Sequence, residues 1–279
     1  MKPASPVAIV TDSTADVPLP DIRRHGITVI PALITVEGTT HADSPEFDRG
    51  GLYQRMHRLA ALPTTAAPSP AAFETVYSRL LDEGHEHIIS FHLSGSLSSI
   101  FGVATQAARR FNNRVSTFDS RSVSLGLGFQ VVEAAAAAAL GQSAGAILQA
   151  AARLRDRVRV IAMVNSLENL HHSGRVGSLA ANLGDWLSIK LLVEVMDGIV
   201  RQFARVRTRR RALDEMEAKA TSWSHLARLA VLHAAVPHEA AQFADRLQPV
   251  HSRPWVVEAT TVVGTHVGQG SIGRAAVLA

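Results

Sequence analysis

The feature that most constrains this chain is a short apolar stretch that leads through a Ser-Gly-Ser turn into a helix-forming segment. Residues 87–91 are mostly apolar, as expected of a strand that is buried on both faces. Ser94, Gly95 and Ser96 form the turn, and residues 96–99 can cap the helix that follows. Such a turn places hydroxyl and backbone N–H groups at the positive end of a helix dipole, where an anion is favoured. An ordinary capped helix after a strand is the alternative explanation.

Strands and helices alternate through the first half of the chain, which predicts a parallel α/β domain. The pattern changes near Arg157, and an Asp197-Gly198 pair between two apolar runs then predicts a β-hairpin. We therefore expect an α/β protein of two domains. The first is an N-terminal parallel-sheet α/β domain over residues 1–156, and the second is a C-terminal α+β domain with a mostly antiparallel sheet over residues 157–279.

Three further predictions concern single elements. Residues 27–34 are predicted to form one strand, with Pro31 placing it near an edge or a bend. Residues 63–70 are predicted to form a loop that is stiffened by its prolines. Residues 256–263 are predicted to form the last strand, and residues 265–268 then form a loop after it, where a site residue is expected.

The composition excludes several classes of site. The chain has no cysteine, which excludes disulfides, thiol nucleophiles and cysteine-ligated metal and gives no reason to place it outside the cytosol. Residues 1–6 lack an apolar signal core, and no segment approaches an uninterrupted membrane span. We expect a cytoplasmic protein with no metal and no cofactor. The net charge of +4 does not by itself indicate nucleic acid.

Two motif matches lack the structural context that their chemistry needs. Residues 141–145 fit G-x-S-x-G, but a nucleophile elbow needs a preceding strand and an alanine-rich helix precedes this match. Residues 268–273 fit G-x-G-x-x-G, but too little chain follows for the helix, strand and acidic residue of a dinucleotide site. We predict neither a hydrolase elbow nor a dinucleotide site.

Hydroxyl and basic side chains occur in the predicted loops at strand ends, and they are Thr65, Ser94, Ser96, Arg175 and His266. Each has an ordinary explanation by itself, as a helix cap, a surface charge or a loop histidine with its hydrogen bonds made within the protein. Asp12, Ser13 and Thr14 also follow a predicted strand, where they either bind a ligand or cap the next helix.

Together and in their order, these segments resemble the DegV family of bacterial fatty acid-binding proteins, the carrier subunits of bacterial fatty acid kinase. The resemblance covers nearly the whole chain. The matching segments are residues 11–16, 63–70, 93–96, 118–126, 167–170, 174–176, 188–190, 197–198, 207–209 and 264–268. The chain departs from the family pattern, which has Ser, Gln, Pro and Pro, at Ala66, Ala67, Leu191 and Gln269.

This resemblance implies two α/β domains with a long-chain fatty acid between them. It implies that Thr65, Ser94 and His266 hold the carboxylate. Supporting or partner-facing roles are implied for Arg175, Ser96, Gly95 and Thr265. The implied partner is a kinase that phosphorylates the bound acid to an acyl phosphate for phospholipid synthesis, and the chain itself is then not an enzyme.

Two other functions remain as alternatives. A serine-dependent lipid esterase or acyltransferase would use Ser94 with His266. A membrane-surface or nucleic-acid module would use the arginine cluster, which is Arg205, Arg207, Arg209, Arg210 and Arg211. We interpret the cluster as a partner-docking face, and we expect at most transient contact with a membrane surface and no nucleic acid.

Overall fold

The computed structural model of the chain describes residues 5–172, 174, 189–223, 225–247 and 254–279. The strands in these ranges are β1 (Val7–Asp12), β2 (Thr28–Ile30), β3 (Leu33–Val36), β4 (Thr39–Ala42), β5 (Thr64–Ala66), β6 (His87–His92), β7 (Val115–Asp119), β8 (Val158–Val164), β9 (Lys190–Met196), β10 (Ile199–Val206), β11 (Leu226–His233), β12 (Trp255–Glu258) and β13 (Ile272–Leu278). The α-helices are α1 (Leu19–His25), α2 (Arg49–Arg55), α3 (Pro70–Asp82), α4 (Ile100–Ala108), α5 (Leu125–Ala139), α6 (Ala144–Arg157), α7 (Leu167–His172), α8 (Arg209–Thr221), α9 (Pro237–Arg246) and α10 (Thr261–Val267).

The first sheet consists of four parallel strands in the order β2-β1-β6-β7. Every residue of β1 is buried, and β6 is buried from Ile88 onward, as their apolar sequences predict. Helices α3 and α4 pack on each other, as do α5 and α6, and both pairs contact β6. This arrangement confirms the predicted parallel α/β fold of the first half of the chain.

The second sheet has six strands in the order β10-β9-β8-β13-β11-β12, and its neighbours are antiparallel except for β11 and β12. Asp197 and Gly198 join β9 to β10, and both have the positive φ that a tight hairpin turn requires. The mostly antiparallel sheet is therefore confirmed. The sequence analysis does not identify β13, because Gly273, Ala275 and Ala276 give it a weak strand propensity.

A third sheet of three strands, in the order β4-β3-β5, corrects two predictions. Residues 27–34 do not form one strand but are divided between β2 and β3, because Pro31 has no N–H with which to continue a ladder. Residues 63–70 are not wholly a loop, since they contain β5, in which Thr65 pairs with Ile34 of β3.

The segment after β12 is a helix, which corrects the prediction for this region. The strand predicted over residues 256–263 ends early, and α10 carries Thr265 and His266 in place of the predicted loop. A run of Thr and Val favours a strand by propensity, but tertiary contacts override that propensity. The backbone N–H of Thr260 donates to Asp16 Oδ1 at 2.8 Å, so the start of α10 is fixed by a distant carboxyl group.

Helix α5 packs between the two larger sheets. It contacts β1 of the first sheet and β8 and β13 of the second. Leu127 of α5 belongs to the core of the first sheet, whereas Phe129 packs in a cluster with residues of the second. The division into domains at residues 156 and 157 stays a prediction. None of the helices in the described ranges combines the length and hydrophobicity that a membrane span needs.

Candidate functional site

An apolar cavity of about 170 Å³ lies where β5, the turn after β6 and helix α10 meet. Most of its lining is aliphatic, including Leu93, Leu97, Ile100, Val262 and Val263. A cavity with apolar walls and a few polar groups is the usual form of a small-molecule site. We place the candidate site here, and not in a larger cavity between α5, α6 and β11, because this cavity contains the predicted Thr65 and His266.

Thr65 and His266 form a polar pair in the cavity wall. Thr65 Oγ1 lies 3.0 Å from His266 Nε2. Side chains alternate along β5, so Thr65 is half-buried while Thr64 and Ala66 are more exposed. On α10, His266 lies about one turn after Val262, so both side chains face the cavity. Strand alternation and helix periodicity thus bring together two residues that are 201 positions apart.

Three buried side chains from distant segments hold α10 in place. Asp16 accepts the backbone N–H of Thr260, and the Tyr53 hydroxyl donates to the carbonyl of the same residue at 3.1 Å. Asn169 Nδ2 donates to the carbonyl of Thr265 at 2.9 Å. Burial raises the pKa of Tyr53 well above its usual value, so its hydroxyl keeps the proton that it donates. The position of His266 therefore depends on contacts at both ends of its helix.

Ser94 is buried beneath the hairpin turn between β9 and β10. Its Oγ donates to the carbonyl of Gly198 at 2.8 Å and accepts the backbone N–H of Ser96 at 3.2 Å. A Cβ at Gly198 would overlap the Ser94 hydroxyl, so this close approach requires glycine. The single hydroxyl proton of Ser94 is thus donated to the hairpin, and Leu93 and Leu97 form the neighbouring cavity wall.

The other predicted residues occupy different positions. Gly95 and Ser96 are exposed in the turn, and Gly95 N donates to Asp119 Oδ2 at 3.4 Å. Thr265 is buried, and its hydroxyl has no hydrogen-bond partner among the residues that the structure describes. Arg175 lies outside those residues. The structure brings Thr65 and His266 together, and the supporting or partner-facing roles of the other residues stay predictions.

A fully buried chain of polar side chains connects β1 to β6. His92 Nδ1 lies 2.9 Å from Asp12 Oδ2, and His92 Nε2 lies 2.7 Å from Ser90 Oγ, to which the Tyr77 hydroxyl donates at 2.9 Å. Asp12 also accepts the backbone N–H of Thr14 at 3.0 Å, so it caps the short 3-10 turn after β1. The sequence analysis missed His92, although a polar residue at the end of an apolar strand was the available signal.

Comparison with known sequences gives the family of the chain. The sequence profile of the DegV family, described as "Uncharacterised protein, DegV family", matches residues 6–278. A DegV domain-containing protein from Deinococcus radiodurans is 35% identical over 275 residues, covering 96% of this chain and 97% of the relative. The chain belongs to the DegV family. Protein DegV from Bacillus subtilis is 30% identical over 274 residues, covering 96% of this chain and 97% of the relative.

Solved DegV structures share this fold over nearly the whole chain. A structure reporting fatty acid binding of a DegV family protein from Thermus thermophilus has a TM-score of 0.88 and 31% identity, and the match covers 98% of this chain and 99% of that one. DegV from Bacillus subtilis, described as a fatty acid binding protein, has a TM-score of 0.87 and 28% identity, with 99% and 100% covered. The fold, with its parallel first sheet and its mostly antiparallel second sheet, is therefore that of the DegV family.

The positions at which this DegV chain departs from the family pattern lie in the cavity wall, in a buried strand and in the turn before β13. Ala66 and Ala67 both line the cavity, at positions where the family pattern has polar residues. Leu191 is fully buried in β9. Gln269 contributes its backbone carbonyl, which accepts from Asn165 Nδ2 at 2.7 Å, and proline would retain that carbonyl.

Proposed function

We propose that this chain binds a long-chain fatty acid in the cavity, with the carboxylate beside Thr65 and His266. The observation that carries this proposal is a hydroxyl–imidazole pair in the wall of an aliphatic cavity. The DegV proteins of Thermus thermophilus and Bacillus subtilis, both described as binding fatty acid, support the same class of ligand. Ser94 would join the carboxylate site only by exchanging its bond to Gly198 for one to the ligand.

Burial of the acyl chain supplies most of the proposed affinity. Each buried methylene contributes about 0.8 kcal/mol, so a long chain offers on the order of 10 kcal/mol before ordering costs are subtracted. The cavity of about 170 Å³ is smaller than the roughly 300–1,000 Å³ of typical ligand sites. Binding of a long chain therefore requires the aliphatic walls to move apart, while the polar pair fixes the position of the head group.

We further propose that the chain is a cytoplasmic carrier and not an enzyme. A separate fatty acid kinase would transfer the terminal phosphoryl group of ATP to a carboxylate oxygen, which gives an acyl phosphate and ADP for phospholipid synthesis. The resemblance of the motifs to those of kinase carrier subunits supports this role. The exposed turn at Gly95 and Ser96 lies next to the cavity wall and offers the kinase a surface. We also propose that the chain contacts a membrane surface transiently while it takes up the fatty acid.

The geometry gives less support to the two alternative functions. A serine esterase needs its serine and its base in hydrogen-bond contact, whereas Ser94 donates to Gly198 and His266 pairs with Thr65. The arginine cluster is not a single free face, because Arg209 donates to Glu239 at 2.6 Å and to a backbone carbonyl.

The proposed ligand is tested by titration of delipidated protein with palmitate and with hexadecanol, followed by native mass spectrometry. We expect one palmitate per chain and binding of the alcohol that is weaker by about tenfold or more, because the alcohol lacks the carboxylate charge. No saturable uptake of palmitate would contradict the proposal.

The carrier role is tested by adding a fatty acid kinase and ATP and trapping acyl phosphate with hydroxylamine. Turnover of p-nitrophenyl esters by the chain alone would favour the esterase.

A further inference from the structure

Another cavity, of about 490 Å³, lies at the carboxyl end of β1, between α1, α2 and β12. Thr11, Asp16 and Thr260 contribute buried side chains to its lining. Leu19 and Glu258 also line it and are exposed, so the cavity can be reached from solvent. The carboxyl ends of parallel strands are where open α/β sheets bind ligands. This cavity does not include Thr65 or His266 and is separate from the proposed fatty acid site.

Two hydroxyl groups in this cavity lack the partners that buried polar groups normally have. Thr11 is 0% exposed and Thr260 is 2% exposed. Neither Oγ1 atom has a hydrogen-bond partner within the described part of the chain. Buried polar groups without partners are unfavourable, so most are satisfied by protein, water or ligand. A molecule in the cavity can supply partners to both hydroxyls.

The same cavity contains more carboxyl groups than cations. Asp16, Asp43 and Glu258 line it together with Arg49. Arg49 Nε lies 3.0 Å from Asp43 Oδ1, so this guanidinium is already paired with one carboxylate. Asp12, also in the lining, contacts His92. Asp16 and Glu258 therefore share the charge of Arg49 with Asp43, so the carboxyl groups of the lining outnumber its one arginine.

The cation near Asp16 and Glu258 is Arg49, whose charge is shared with Asp43, and the groups that contact the two carboxyl groups directly are uncharged. Asp16 accepts from the Ser124 hydroxyl and from the backbone N–H of Thr260. Glu258 Oε1 lies 3.9 Å from His233 Nδ1, but burial lowers the pKa of His233, so this imidazole is uncharged near neutral pH. Burial also raises the pKa of both carboxyl groups, because the charge of Arg49 and the hydrogen bonds offset their loss of hydration only in part.

We propose that this cavity binds a small organic cation with two ammonium groups, one at the buried Asp16 and one at the exposed Glu258. The volume falls in the range of roughly 300–1,000 Å³ typical of small-molecule sites and is larger than a single ion fills. The ammonium groups compensate the two carboxylates, and their N–H groups donate to the hydroxyls of Thr11 and Thr260. Both the excess charge and the unpartnered hydroxyls are then satisfied by one ligand.

The test is isothermal titration of the purified chain with 1,4-diaminobutane, with 1,4-butanediol as the neutral analogue and magnesium chloride as the ion control. We expect saturable binding of the diamine that Glu258→Gln and Asp16→Asn each weaken by about tenfold or more. Glu83→Gln removes the same charge from an exposed position at the end of α3 and should leave binding unchanged.

Three results would overturn the proposal: equal binding of the diol, binding of magnesium in place of the diamine, or a diamine affinity that neither substitution changes. Thr65→Ala should leave diamine binding intact. The outcome is therefore independent of whether the first cavity binds fatty acid.

Discussion

Thr65 Oγ1 and His266 Nε2 lie 3.0 Å apart, although one belongs to a strand of the small third sheet and the other to a helix near the end of the chain. Each side chain is positioned by its own element, Thr65 by pairing with Ile34 and His266 by the contacts that hold α10. A substitution at either position therefore changes the polar end of the cavity without altering its aliphatic walls.

Thr65→Ala should weaken palmitate binding by about ten- to a hundredfold, because a hydrogen bond to a charged group contributes roughly 1.5–3 kcal/mol. Displacement of a fluorescent fatty acid measures the affinity. Thr64→Ala, at the more exposed neighbouring position in β5, is the matched control and should bind like the parent. Equal affinities of the parent and Thr65→Ala would place the head group elsewhere.

Ser94→Ala should lower the free energy of unfolding by about 1–3 kcal/mol, because the buried carbonyl of Gly198 loses its donor. Urea denaturation measures this change. If Ser94 also binds the carboxylate, the preference for palmitate over hexadecanol should fall, and its effect should not add to that of Thr65→Ala. An unchanged preference with reduced stability would show that Ser94 only anchors the hairpin.

Asp16→Asn should change how stability depends on pH. Burial raises the pKa of Asp16 from 3.8 to about 7 in the folded chain, although the hydrogen bonds from Ser124 and Thr260 and the charge of Arg49 lower it. Between these values the folded chain holds a proton that the unfolded chain has released, so this group lowers the free energy of unfolding as pH rises. The parent should therefore lose stability relative to the variant between pH 5 and pH 8, by up to about 3 kcal/mol.

Urea denaturation of the parent and of Asp16→Asn at pH 5 and pH 8 measures the effect of this group. The exposed Asp82→Asn, which removes the same charge from α3, is the matched control. A stability difference between the parent and Asp16→Asn that is the same at both pH values would contradict the raised pKa.

Gly264→Ala should destabilise the chain by about 1–3 kcal/mol and weaken palmitate binding, because a Cβ at this position overlaps the ring of Tyr53 and displaces the helix that carries His266. Gly102→Ala in α4 is the control, since a Cβ there meets no atom within 4 Å. The control should be stabilising by up to about 1 kcal/mol. Thermal unfolding and palmitate titration distinguish the two variants. Similar results for both would show that a Cβ at Gly264 does not displace α10.

The strands and turns that depend on residues close together in the chain could be predicted from the sequence. The apolar runs of β1 and β6 indicated strands buried on both faces, and Asp197-Gly198 indicated the hairpin because few residue pairs allow two positive φ angles in succession. Helix α10 could not be predicted in this way. Its Thr and Val residues favour a strand, and the carboxyl of Asp16 that fixes its start is distant in sequence.

The site could be predicted only in part. Thr65 and His266 were proposed from family motifs, since nothing in their spacing indicates that they meet. The partner of Ser94 is a backbone carbonyl on a hairpin more than a hundred positions away, and sequence patterns do not encode such a contact. The bond between His92 and Asp12 was missed for the same reason, because it depends on the adjacency of β1 and β6.

Strand β13 lies between β8 and β11, although it follows both in the chain. Until residues 272–278 leave the ribosome, the second sheet exists as two separate groups of strands, β8 to β10 and β11 with β12. Each group has an open edge, which is the unpaired strand edge that β13 later joins. The strands of the first sheet all precede α5 and are available much earlier. At typical translation speeds, a nascent chain carries these open edges for on the order of 10 seconds. Unpaired edges of this kind are where chains associate wrongly, so the second half of the protein is the part most exposed to misassembly during synthesis.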